Sequence, residues 1–311
     1  MRLLARHPRL ALVLRSTVDA TIGALLMMAL LSWQRMRDDE ALFRQLVQVA
    51  ELKAAKVAGG VPSDETRALE ILHAVYAEVR ERAVFFGDTE WTTPHLLWSA
   101  GDHMNRPAGA CASYVTVLAK AMQTAGFPIR KVGLVKNGLV AYHHVLEAKV
   151  NNRWVVLDAA FDQSFRRPDG KLASASDVHE DWLYYRTQIM PGYYPEYDYS
   201  GFYYTNWNRI PGAETILGWF PEARTWLHIH GISIRFWFLN IHAWLIGLGL
   251  GGAVVLTLLR WRTSRKKRVP EKSPTSPAPE PREKPKMPEW VRQQPVLEVT
   301  LPAALPAAKR G

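Results

Sequence analysis

Between Phe236 and Leu259 the chain runs for 24 residues without a formal charge, FWFLNIHAWLIGLGLGGAVVLTLL. At ~1.5 Å of rise per residue, a helix of that length reaches about 36 Å, enough to cross a hydrocarbon core with some tilt. A buried helix of a soluble domain rarely runs so far without a charge, so residues 236–259 are expected to span a membrane. Gly247, Gly249, Gly251 and Gly252 offer this helix a close-packing face. RWRTSRKKR follows at once at 260–268, with six basic side chains and no acid. Positive-inside reasoning leaves residues 260–311 in the cytoplasm and the domain before the span outside it.

The N-terminus holds a second apolar stretch. Ala20–Trp33 gives 14 uncharged residues, short for a span; extending it back to Leu10 gives 24 positions but takes in Arg15 and Asp19. Those two are four apart, on one helix face, where they partly neutralise each other. No small-x-small cleavage signature follows cleanly. Residues 1–36 are therefore expected to form an uncleaved signal anchor or first membrane helix; an interfacial helix and a packed helix of the soluble domain are the alternatives. An N-in first span and a C-in second span agree in placing residues 34–235 outside.

Charge is divided unevenly: net +3 over 1–33, −1 over 34–235 and +8 over 260–311. The total of +10 belongs to the ends, and the middle has neither a basic stripe nor an aromatic-basic motif, so nucleic acid is not expected as a partner. From Val269 onward the chain carries ten of its 20 prolines, which argues for an extended, disordered tail.

Within the outer region, Leu42, Leu46, Val49 and Leu52 have helical spacing, and Gly59-Gly60 stops that helix. A cap-like S-D-E-T at Ser63 opens a second helix, with Ala68, Ile71, Leu72, Val75 and Val79 on one side. After an irregular stretch, GACASYVTVLAKAMQTAG reads as a tight turn and a helix from about Cys111 to Thr124. IRKVGLV, AYHHVLEAKV and RWVVLDAAF then read as strands, with turns at Lys136-Asn137-Gly138 and Asn151-Asn152. The expected class is α+β, helices packed on a small antiparallel sheet, plus the membrane helices.

Cys111 is the only cysteine, so no internal disulfide is available to it. It is either an inert core thiol or a reactive group. A helix start favours the thiolate through first-turn amides and the helix dipole. His143, Val145 and Glu147 share one strand face, His144 and Leu146 the other, and Trp154, Val156 and Asp158 share a face of the next strand. If these strands pair, thiol, imidazole and carboxylate can converge for nucleophilic catalysis. Either adjacent histidine fits, and Asp158 is equally suited to capping a turn. One thiol without compact His or Asp spacing makes a zinc site a poor reading, and no cofactor is called for.

Gly109-Ala-Cys before a helix, an arginine leading into the first strand, H-H-V-L-E at 143–147 and W-V-V-L-D at 154–158 together resemble the transglutaminase-like superfamily of papain-type fold. The resemblance covers about residues 65–165. It implies Cys111 as nucleophile, His143 as general base and Asp158 as the orienting carboxylate, because only His143 stands four positions before Glu147. His144 and Val145 depart from the family's usual small residue and tryptophan. The family's upstream oxyanion helper has no clear counterpart; Trp91, Trp98, His103 and Asn105 are available, with Asn105 the first choice.

The resemblance implies acyl transfer through a thioester, here as a membrane-anchored cysteine peptidase or amidase on the periplasmic face of a bacterial inner membrane. The alternatives are a cross-linking transglutaminase and a non-enzymatic scaffold or assembly component of an envelope or exopolysaccharide system. Expected partners are a peptide, protein or envelope glycan-associated substrate, membrane lipid, and other membrane proteins reached through the helices and tail.

Residues 182–207 hold 11 aromatics, including eight of the chain's 11 tyrosines. They suit first packing onto the catalytic domain or lying at the headgroup level, and second stacking on a polysaccharide or lining a peptide cleft. The expected organisation is 1–36 anchor, 37–181 catalytic domain, 182–235 aromatic-rich extension, 236–259 membrane helix and 260–311 tail.

Overall fold

A computed structural model describes residues 8–266 except 82, 85–97, 107, 136–140, 195, 206–211, 231–235 and 237. Trp91, the turn at 136–138 and the proline-rich tail beyond 266 lie outside the described residues. Residues 260–311 separate as a unit of their own, described only over 260–266, where the backbone is helical.

The chain opens with one 51-residue helix, α1 (Pro8–Ala58). The sequence divides this stretch into an anchor and a supporting helix at residue 36, yet the backbone runs straight through that position. Composition changes there, but neither glycine nor proline interrupts residues 24–58, so nothing breaks the hydrogen-bond ladder. The helix ends at Gly59, whose φ of 66° lies in the left-handed region.

Helix α2 (Asp64–Val79) starts at Ser63, whose hydroxyl accepts from the Thr66 amide at 3.1 Å, with Asp64 and Glu65 in the first turn. Its stripe of Ala68, Ile71, Leu72, Val75 and Val79 is buried. A two-residue parallel pairing, β1 (Ala83–Val84) with β2 (Ala108–Gly109), brackets the short helix α3 (Ala100–Met104). Helix α4 (Cys111–Thr124) follows and buries Val115, Leu118, Ala119 and Met122.

Five strands make an antiparallel sheet of order β6-β5-β4-β3-β7: β3 (Ile129–Val135), β4 (Ala141–Val150), β5 (Arg153–Asp158), β6 (Gln163–Ser164) and β7 (Phe202–Tyr203). Asn151 and Asn152, at φ 49° and 62°, close the β4–β5 hairpin. That geometry needs two left-handed residues, which asparagine tolerates.

The sheet is a middle layer. On one face Leu146, Ala148, Val155 and Leu157 join a core with Phe43 of α1, Ile71 of α2 and Leu118 of α4. On the other, Val132, Leu134, Val145 and Val156 pack with Phe165, Tyr185, Tyr193, Tyr197, Tyr199 and Tyr204. The second face is thus covered by the aromatic-rich extension, together with α5 (Ala175–Glu180) and α6 (Trp182–Tyr185). Asp181 ends α5 and caps α6 through the Tyr184 amide, so the backbone at 181–182 is a turn inside this layer.

Short helices α7 (Ala213–Gly218) and α8 (Pro221–His230) lead to α9 (Ile241–Lys266). Two helices, over Leu12–Ala58 and Ile241–Thr263, are long and apolar enough to cross a membrane by length and composition. They touch through small residues: a Cβ on Gly249 would meet the Leu25 carbonyl and Ala29, and one on Gly252 would meet the Leu25 side chain.

Candidate active site

Strand register brings two of the candidate residues together. Leu146 pairs with Leu157, so His143 lies diagonally across from Asp158 on the face shared with Val145 and Val156. His143 Nε2 and Asp158 Oδ2 are 2.6 Å apart, and each residue is only 1% exposed. Asp158 Oδ1 also accepts from the Ala160 amide at 3.0 Å, so both carboxylate oxygens are held. The carboxylate fixes the ring orientation and leaves His143 Nδ1 as its open edge. No strict hydrogen-bond partner meets that atom among the described residues.

The Cys111 thiol and the His143 ring are near enough for each to shift the other's pKa. Cys111 is the first residue of α4, half-buried, and follows an N-cap, Ala110, that offers no side-chain cap. The first-turn amides are therefore not taken up by a capping side chain. Burial pushes the thiol pKa up, but the polar contact and charge of the nearby His143 outweigh it, aided by the His144 backbone and Lys131, and the net shift is downward. For His143, burial works against the charged ring, while the charge and hydrogen bond of Asp158, then Cys111, overcome it and push its pKa up to about 10. Opposed shifts of this kind favour a thiolate–imidazolium pair over two neutral groups.

Glu147 turns from the same face toward structure. It is fully buried, takes a 2.5 Å hydrogen bond from Arg130 Nε and accepts from the Ala175 amide at 2.8 Å. The Arg130 guanidinium lies between the rings of Trp154 and Tyr204, 4.2 and 3.9 Å from their centroids. This network ties β3 and β4 to the start of α5.

The three other sequence candidates stand on or beside α3. His103 is buried, with Nδ1 2.5 Å from Ser113 Oγ and its ring edge-on to Trp98. Arg106 stacks its guanidinium 3.0 Å over Trp98. Asn105 is the exposed C-cap of α3. The partners seen for His103 and Trp98 belong to this α3–α4 corner, and Ser113, two residues after Cys111, was not singled out from the sequence. Among the described residues no group of three or more His, Cys, Asp or Glu side chains is arranged to hold a metal ion.

The aromatic segment expected to pack onto the domain does so, but sequence reasoning did not place any of its rings at the site. Tyr197 stacks on the His143 ring at 4.1 Å between centroids and 5° between planes, with Phe161, Tyr193 and Tyr194 around it. The tyrosine density of 182–207 was the available signal. Nothing local said which tyrosine would meet which side chain.

Residues 53–159 match the family model of the transglutaminase-like superfamily, and the α+β architecture of helices packed on a small antiparallel sheet resembles that of transglutaminase/papain-like proteins. Among solved structures, a TGase shares 15% identity at a TM-score of 0.33, over 53% of this chain and 43% of that one. A proposed cysteine protease from Cytophaga hutchinsonii shares 20% identity at a TM-score of 0.26, over 37% of each chain. The chain thus spans less than half the length of either solved relative. No protein of curated function matches it.

Proposed function

We propose that this protein is a thiol-dependent acyl-transfer enzyme acting on carboxamide or peptide bonds. The observation that carries the reading is the buried 2.6 Å His143–Asp158 hydrogen bond beside Cys111. In the forward step the Cys111 thiolate attacks the carbonyl carbon. The first-turn amides of α4 stabilise the resulting oxyanion. As the C–N bond breaks, His143 gives its Nδ1 proton to the leaving amine and an acyl-thioester remains. Water or a second amine then attacks the thioester, His143 takes the incoming nucleophile's proton, and the thiolate leaves. Asp158 holds Nε2 and stabilises the imidazolium throughout.

Water as acceptor makes the enzyme a peptidase or amidase; an amine makes it a cross-linking transglutaminase. Ammonia release from a glutamine-containing peptide, measured with and without a primary amine, tests the amidase and transferase outcomes, and new amino termini report peptide-bond cleavage. Wild type should release ammonia and Cys111→Ala should not. Incorporation of the amine identifies transfer, and conversion of the glutamine to a peptide-bound glutamate identifies hydrolysis. Turnover that survives Cys111→Ala would overturn the reading.

A non-catalytic scaffold is the second reading, favoured by the depth at which His143 and Asp158 are buried. It predicts that a Cys111→Ala chain complements a deletion fully and that Cys111 has ordinary thiol reactivity.

We also propose that α1 and α9 anchor the enzyme in a membrane, with the catalytic domain on the outer face. Leu26, Met27, Leu30 and Leu31 on α1, and Leu248, Val254, Val255 and Leu258 on α9, point away from the protein, as lipid-facing side chains would. A cysteine placed in 269–311 should react with an impermeant reagent only after permeabilisation; labelling in intact cells would reverse the orientation.

A further inference from the structure

Tyr197 lies outside the family match, in a segment that the mechanism above does not use. Its near-parallel stack on His143 is a built position. The Tyr197 amide donates to the Tyr194 carbonyl at 3.0 Å, and the next residue, Asp198, accepts from the Tyr142 hydroxyl at 3.2 Å. The following Tyr199 is fully buried, and His179 Nδ1 lies 2.7 Å from its carbonyl. Tyr142 also stacks beside Tyr197, at 5.5 Å and 25°. The ring is therefore held from both flanks and is itself buried.

We propose that Tyr197 is the positioning residue of the Cys111–His143 pair, holding the imidazolium against its face and keeping water from the His143–Asp158 hydrogen bond. Rotation of the His143 side chain would carry Nε2 away from Asp158 and Nδ1 away from the thiol; a flat ring at 4.1 Å blocks that swing. An aromatic face also attracts a cation, more strongly where water is excluded, so the contact favours the charged ring. The groups acting on this pair are Asp158 from β5, Cys111 from α4, Lys131 from β3 through the thiol, and the surrounding tyrosines. The inference rests on the acyl-transfer reading and assigns part of the aromatic extension a role within it.

The test needs no known substrate. The rate of Cys111 alkylation by iodoacetamide is followed against pH for the full chain in detergent, as wild type, Tyr197→Phe and Tyr197→Leu. Wild type should alkylate as a thiol of depressed pKa, and Tyr197→Phe, which keeps the aromatic face, should follow within about twofold. Tyr197→Leu keeps an apolar side chain but no π face; its acid limb should move up by about one pH unit, slowing alkylation on that limb roughly tenfold. An unchanged Tyr197→Leu profile beside a depressed wild-type pKa would overturn the role of Tyr197 and leave the acyl-transfer reading standing. An undepressed wild-type pKa would sink that reading first. Should Tyr197→Leu fail to fold, proton NMR of wild type decides: stacking predicts upfield ring-current shifts for the carbon-bound ring protons of His143, and ordinary histidine shifts would refute it.

Discussion

Glu147→Ala should cost this protein a large part of its stability, although Glu147 takes no part in the proposed chemistry. The side chain is 0% exposed and carries two obligations, the Arg130 guanidinium and the Ala175 amide. Removing one partner of a buried ion pair costs about 3–5 kcal/mol, because the remaining charge stays desolvated. Arg130 retains 13% side-chain exposure and two aromatic faces, which favours the lower end of that range. Stranding the Ala175 amide adds about 1–3 kcal/mol. Together these come to roughly 4–6 kcal/mol, against a typical domain stability of about 5–15 kcal/mol. Glu147→Gln has one acceptor oxygen where Glu147 uses two, so it can still serve the Ala175 amide but strands the Arg130 charge, and it should be milder than Ala only by the amide's share, about 1–3 kcal/mol. Urea unfolding of the full chain in mild detergent, followed by tryptophan fluorescence, measures both. A Gln variant as stable as wild type, or a loss below about 1 kcal/mol from Ala, would refute the argument that a desolvated charge decides the cost.

Asp158→Asn should leave the chain folded while acyl transfer falls about 10³–10⁴-fold, because the amide can no longer hold the imidazolium; steady-state ammonia release reads it. Wild-type turnover should fall at both ends of its pH range. The depressed Cys111 thiolate is protonated as pH drops through its folded value, and His143⁺ is lost as pH rises through about 10, so a stopped-flow pH series should show a plateau between them. Gly133→Val should open the β3–β7 edge, since even a Cβ would sit 2.9 Å from the Tyr203 ring and 3.1 Å from Ala141, at a cost of roughly 1–3 kcal/mol readable by thermal unfolding. Gly249→Leu should separate α1 from α9, because a Cβ there comes within 2.6 Å of the Leu25 carbonyl; disulfide trapping between cysteines placed on the two helices should weaken.

Features set by neighbours in the chain were legible before any fold was known. Ser63 announces α2 because a hydroxyl just before a helix satisfies an orphan amide, and it does so at 3.1 Å. The start of α4 at Cys111, its end before Gly126, and the Asn151-Asn152 hairpin follow from equally local chemistry. Alternation along the strands put His143 and Asp158 on compatible faces, and pairing then brought them to 2.6 Å. At residue 36 the change of composition meets no breaker in the backbone, and α1 runs unbroken from the expected anchor into the region of the domain.

The sequence by itself determined the end of α1, the start of α2, both ends of α4, the alternation of the strands, the apolar stretches and the residue types of the candidate site. All of these depend on residues within a few positions of one another. Only the tertiary structure decided that the aromatic extension covers the second face of the sheet, that Tyr197 lies flat on His143, and that Glu147 is shared between Arg130 and Ala175. Those contacts join segments far apart in the chain, and tyrosine's apolar face and polar edge suit many such contacts equally well. Which one forms is fixed by how the layers stack, and no periodicity along the chain encodes that.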